Sequence, residues 1–80
     1  MEFEWDPAKD RANRRKHGIR FHEAMSVFAD PTARVFDDRD HSADEMREII
    51  IGHSERELLL VVCFTERNGN IRIISAARYY

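Results

Sequence analysis

The feature that most limits what this chain can fold into is one run, Leu58-Leu59-Leu60-Val61-Val62-Cys63-Phe64-Thr65, set between Glu57 and Glu66. A short apolar run of this kind, flanked by polar residues, is expected as a central strand covered on both faces. In 80 residues the cover must come from within one small domain, residues 1–80. Neither this run nor Ile49–Ile51 approaches the ~18–20 apolar residues that span a bilayer. The start, Met1-Glu2-Phe3-Glu4-Trp5-Asp6, is acidic, unlike a signal peptide. One cysteine, Cys63, excludes an internal disulfide framework and a Cys-rich zinc site. A cytoplasmic protein is expected.

The cover for the strand is legible upstream. Glu2-Phe3-Glu4-Trp5 alternates as a short half-buried strand does. Asp6-Pro7 reads as a helix N-cap and first helical residue. Ala8 to His17 is a helix with a thin stripe of small residues, closed by Gly18. Phe21, Ala24, Met25 and Phe28 lie at i, i+3, i+4, i+7 on a second helix over 21–29, which Asp30-Pro31 ends. Short strands are predicted at Ala33–Phe36, Glu45–His53 and Ile71–Ala76, with Asn68-Gly69 as the clearest hairpin turn. The order is β-α-α-β-β-β, two helices followed by a meander of three or four antiparallel strands. The helices must pack on the sheet, giving an α+β two-layer sandwich.

Net charge is −2, yet its distribution is uneven. Residues 1–20 carry six bases against four acids, residues 30–57 nine acids against four bases, and residues 58–80 three arginines against Glu66 alone. Such asymmetry fits an anionic ligand at one face and a cationic partner at another, or an ordinary solvated surface.

No metal-ligand spacing occurs among His17, His22, His41 and His53, and there is no phosphate-binding glycine loop. No cofactor is implied. The chemistry that stands out is distributed. Arg67 precedes the Asn-Gly turn and Arg72 follows it; by period two Arg72, Ile74, Ala76 and Arg78 share one face of the last strand. Arg47 begins a neighbouring strand on the side of Ile49 and Ile51. Converging arginines could clamp a phosphodiester. They could equally be solvated charges paired with Glu45, Glu48 and Glu66. Lys16-His17 is either an acid/base pair or a cap serving the helix dipole. Trp5 is either core or a stacking platform for a base. His41 lies between Asp40 and Asp44 in an acidic loop, and Cys63 is expected to be inert.

Phe3-Glu4-Trp5-Asp6, Lys9, Asn13, Lys16-His17-Gly18, Phe21, Ala24 and Phe28-Ala29-Asp30-Pro31 resemble the first half of BrnT-type toxins. His41-Ser42, Glu45, Arg47, Gly52, Thr65-Glu66-Arg67-Asn68-Gly69 and Arg72-Ile73-Ile74-Ser75-Ala76 resemble the second half. Each short stretch is weak evidence; their ordered combination along the chain is specific. The resemblance implies a RelE-like fold and a ribonuclease toxin of a type II toxin–antitoxin pair that inhibits translation. It implies a BrnA-type ribbon-helix-helix antitoxin as partner, RNA as substrate, and operator DNA reached through the antitoxin, with no membrane. In the family pattern a further Arg-, Glu- and Tyr-rich stretch follows the last strand, whereas this sequence reads Arg78-Tyr79-Tyr80 there. A non-catalytic, antitoxin-binding co-repressor subunit on the same scaffold is the alternative.

Resemblance and strand parity together give expected roles. Arg67, Arg72 and Arg47 would hold the phosphate, with Glu45 or Glu66 as base. Lys16, His17, Arg78 and Trp5 would contact RNA. The acidic stretch from Asp37 to Glu48 would dock a basic antitoxin segment, unless the antitoxin covers the basic face directly.

Overall fold

The computed structural model describes residues 2–39 and 45–80. Strand β1 (Phe3–Glu4) leads into helix α1 (Pro7–His17). The Asp6 carboxylate accepts the Ala8 N–H at 2.9 Å, and Gly18, at φ 73°, donates its N–H to the Arg14 carbonyl. Both ends of α1 are therefore closed by the local chemistry expected of them. Helix α2 (Phe21–Ser26) tightens into one 3₁₀ turn, Val27–Ala29, before Pro31. Four strands follow: β2 (Arg34–Asp37), β3 (Arg47–His53), β4 (Leu59–Arg67) and β5 (Asn70–Arg78). The acidic-loop residues Asp40 and His41 lie outside the described residues.

The sheet order is β1-β5-β4-β3-β2. The expected order holds, with four strands in the antiparallel meander. The sheet is nevertheless mixed, because β1 adds in parallel to β5, with Phe3 opposite Ile71 and Glu4 opposite Arg72. Asn68 and Gly69 both take positive φ, 54° and 79°, as the two-residue turn between β4 and β5 requires.

Ile19, Phe21, Ala24 and Val27 from the helical layer meet Ile50, Leu60, Val62, Phe64, Ile71, Ile73 and Ala76 from the sheet. Phe28 stands edge-on to Phe3 at 5.1 Å and to Phe64 at 5.0 Å, a packing that suits the aromatic quadrupoles. The β4 run is central, but it is covered on one face only. Val61 and Cys63, on the other face, are half-buried, shielded by neighbouring strands and not by a second layer.

A second correction concerns β5. Cys63 pairs with Ser75, but Phe64 pairs with Ile73, so Ile74 is an extra residue in β5, a bulge. The bulge breaks the period of two. Ala76 lies opposite Val62 and Arg78 opposite Leu60, both on the helix-covered side, while Arg72 lies opposite Thr65 on the open side. Arg72 and Arg78 therefore do not share a face.

Beyond the bulge, β5 has no strand on its outer side among the described residues, and Asn13 of α1 takes that place. Its amide donates to the Ala76 carbonyl at 2.7 Å and accepts the Ala76 N–H at 3.1 Å. It also donates to the Ile19 carbonyl at 2.9 Å. One side-chain amide thus substitutes for a neighbouring peptide, and the buried edge is satisfied.

Candidate functional site

The open face carries the chemistry. Three rows cross it, set by register: Arg47–Thr65–Arg72, Ile49–Cys63–Ser75 and Ile51–Val61–Ala77. The first row holds the charge. Thr65 is buried between the two arginines, and its hydroxyl donates to the Met46 carbonyl at 2.6 Å, fixing the start of β3 beside β4. Arg67 follows on β4 with the same parity as Thr65. It donates to Glu45 at 2.9 Å. Arg72 donates to Glu4 at 2.8 Å.

Glu45 lies in the field of all three arginines. Its carboxyl is held below the usual carboxylate range, first by the hydrogen bond from Arg67; desolvation opposes this, and the charges of Arg67, Arg47 and Arg72 add to the lowering. All three predicted phosphate-binding arginines therefore act on one carboxylate. A carboxylate stabilised in its charged form is a weak proton acceptor. Its evident work here is to hold Arg67.

A cleft of about 290 Å³ adjoins this row, lined by His17, Asp38, Arg47, Ile49, Val61, Cys63, Ile74, Ser75, Ala76 and Ala77. His17 sits four residues after Asn13, so the amide that locks α1 to β5 also sets the imidazole at the cleft. Cys63 directs its sulfur toward Asp38, 3.7 Å away. Burial, and then the Asp38 carboxylate, push the thiol up from its ordinary value. A thiol kept protonated is a poor nucleophile, as the sequence reading expected of Cys63.

The other expected site residues fall elsewhere. Glu66 pairs with Ile71, on the side of the sheet opposite Arg47 and Arg72, and the structure does not bring it to them. Trp5 is half-buried and meets Phe21 edge-on at 6.1 Å, which favours its core reading. Lys16 is exposed on α1 and Arg78 is exposed at the end of β5. Sequence reasoning gave Glu4 and Ser75 no part in the site, and placed Asp38 only in the acidic stretch expected to dock an antitoxin. The alternation of Glu2-Phe3-Glu4-Trp5 did separate Glu4 from the core side. Nothing in it showed that β1 would lie beside Arg72. Asp38 carried no local signal, and Ser75 reaches the cleft only because of the bulge. Among the described residues no group of three or more His, Cys, Asp or Glu could hold a metal ion. No helix there is long and apolar enough to cross a membrane.

Comparison with known proteins adds to this geometry. A family model described as the ribonuclease toxin BrnT of a type II toxin–antitoxin system matches residues 5–79. The 1.1 Å crystal structure of the Brucella abortus ribonuclease toxin BrnT has the same fold, with a TM-score of 0.78 and 25% sequence identity. The match covers 100% of this chain and 97% of that one. No curated protein matches the sequence closely enough to count as a relative.

Proposed function

The chain belongs to the BrnT family of ribonuclease toxins of type II toxin–antitoxin systems, and from that premise we propose that it cuts RNA by metal-independent transesterification on the open face of its sheet. The observation that carries this reading is the placing of Arg47, Arg72 and Arg67 on one open sheet face by the β3–β4–β5 register, with Arg67 held by Glu45 at 2.9 Å, beside a cleft that His17 lines. A site that gathers three guanidinium groups on rigid strands can hold a scissile phosphodiester and offset the charge that builds on phosphorus.

In the proposed reaction the 2′-oxygen forms a bond to phosphorus as its proton leaves. The bond from phosphorus to the 5′-oxygen breaks, and that oxygen takes up a proton. The products are a 2′,3′-cyclic phosphate and a 5′-hydroxyl. His17 is the better-placed proton carrier, since it lines the cleft, an imidazole can both accept and donate a proton, and Glu45 is stabilised in its charged form. Phosphate would displace Glu45 from Arg67 and Glu4 from Arg72. The Arg67–Glu45 pair is exposed, with Arg67 46% and Glu45 36% accessible, and solvent weakens such a pair; the Arg72–Glu4 pair is part-buried. Lys16 would hold the strand beyond the cleft. RNA loss would inhibit translation. A BrnA-type ribbon-helix-helix antitoxin would neutralise the toxin and carry the pair to operator DNA.

The same ion pairs favour the second reading, a binding-only subunit, because each of Arg67 and Arg72 already has a carboxylate partner. Incubation of a short RNA with the purified chain, in EDTA, separates the two. Cleavage giving cyclic-phosphate ends, reduced about 100- to 1,000-fold by Arg67→Ala or Arg72→Ala with an unchanged circular dichroism spectrum, is expected. Intact RNA would leave the binding-only reading. Cleavage unaffected by both substitutions would move the site off the arginines.

A further inference from the structure

Strand β2 is an edge, with no strand beyond it among the described residues. It reads Arg34-Val35-Phe36-Asp37, with Val35 51% and Phe36 50% exposed. Proteins commonly protect such edges with lysine, proline or a bulge. β2 has neither residue, and its pairing with β3 is regular.

In an antiparallel pair, alternate residues bond to the neighbour and those between turn their N–H and C=O outward. The Asp38 N–H donates to the Arg47 carbonyl at 2.9 Å. With Arg34 opposite Ile51 and Phe36 opposite Ile49, the even-numbered residues are the ones bonded to β3. Val35 and Asp37 therefore offer their main-chain groups to the outside.

The side chains on the open face at this edge are Arg34, Phe36 and Asp38, a cation, an aromatic ring and an anion at two-residue steps. That series is complementary to itself. When a second copy lies antiparallel with Val35 opposite Asp37, Phe36 meets the Phe36 of the second copy on the two-fold axis. Each Arg34 then faces an Asp38 across the junction. Aromatic and opposite-charge pairs are the stabilising cross-strand combinations, and a two-fold contact must be self-complementary.

We propose that β2 is a homodimerisation edge, through which two copies join their sheets by antiparallel β2–β2 pairing centred on Phe36. The dimer carries a consequence for the cleft. Asp38 lines it, so Arg34 of the second copy stands at its rim and adds a cation there. An interface of one short strand per copy falls below the usual ~1,200 Å² of a stable complex, so association is weak and concentration-dependent.

Sedimentation velocity on the chemically synthesised chain, from about 10 μM to about 1 mM, tests the proposal. The mass is expected to rise from 9.5 kDa toward twice that value. Val35→Pro removes an outward N–H without touching the β2–β3 ladder. Arg34→Glu sets like charges opposite Asp38. Each variant is expected to stay at 9.5 kDa with an unchanged circular dichroism spectrum, and Arg34→Glu stands alone if the proline variant unfolds. A wild-type chain that stays monomeric throughout overturns the proposal, as does a dimer that persists in Arg34→Glu. A monomer whose capture by a purified ribbon-helix-helix antitoxin is weakened by Val35→Pro would assign the edge to the antitoxin, also against the proposal.

Discussion

Single residues hold this small molecule to one arrangement. Asn13, only 7% exposed, satisfies two main-chain groups of Ala76 and one of Ile19. Asn13→Ala leaves buried peptide groups without partners and is expected to cost about 2–4 kcal/mol, read from urea unfolding. Because the same helix turn sets His17 at the cleft, RNA cleavage should fall as well, beyond what the unfolded fraction explains. Gly52 fixes another close approach. A Cβ there would lie 2.6 Å from the Ala33 Cβ, 3.0 Å from the Asp30 carboxylate and 3.1 Å from a Val27 methyl. The 2.6 Å approach is to a carbon next to the backbone, which cannot swing away. Gly52→Ala is expected to destabilise by about 1–3 kcal/mol, measured by the same unfolding curve.

At the scale of elements, Asp30 ties the end of the helical layer to the sheet. Its carboxylate accepts the His53 N–H at 2.7 Å and the Thr32 N–H at 2.9 Å, together with the Thr32 hydroxyl. These bonds, that from His53 first, lower its pKa from 3.8 to about 2. A depressed carboxylate contributes stability that is fully present above the unfolded value and is lost as pH falls through the folded one. Thermal unfolding temperature should therefore drop between about pH 4 and pH 2, and Asp30→Asn should flatten that part of the profile. A profile unchanged by Asp30→Asn would remove this tie from the account. The elements also show which signals a sequence carries. The α1 caps and the Asn68-Gly69 turn were legible because their chemistry is local. The β5 bulge was not, since Ile73-Ile74-Ser75-Ala76 does not mark which residue is doubled. The convergence of Arg47 and Arg72 survived because both precede the bulge in register, and the placement of Arg78 failed because it follows it. The parallel seat of β1 beside β5 had no signal in a strand of two residues. It is also what brings Glu4 to Arg72.

At the scale of the whole molecule, a net charge of −2 coexists with a cationic row on one sheet face. On the proposed reading, attraction for RNA is local to that row and is opposed by the remaining surface. If the arginine row engages the scissile phosphate and Lys16 a neighbouring one, log kcat/KM should fall with log salt at a slope of about −1.4. Lys16→Ala should make that slope shallower by about 0.7. A slope near zero would mean that phosphate contact does not govern substrate capture. The seating of β1 against β5 has one more consequence. Phe3 and Glu4 pair with Ile71 and Arg72, partners far along the sequence on the other side of both helices and the meander. So non-local a contact must close a long loop, which makes it slow to form. The pairing that sets Glu4 beside Arg72 therefore closes after the local turns and hairpins are in place.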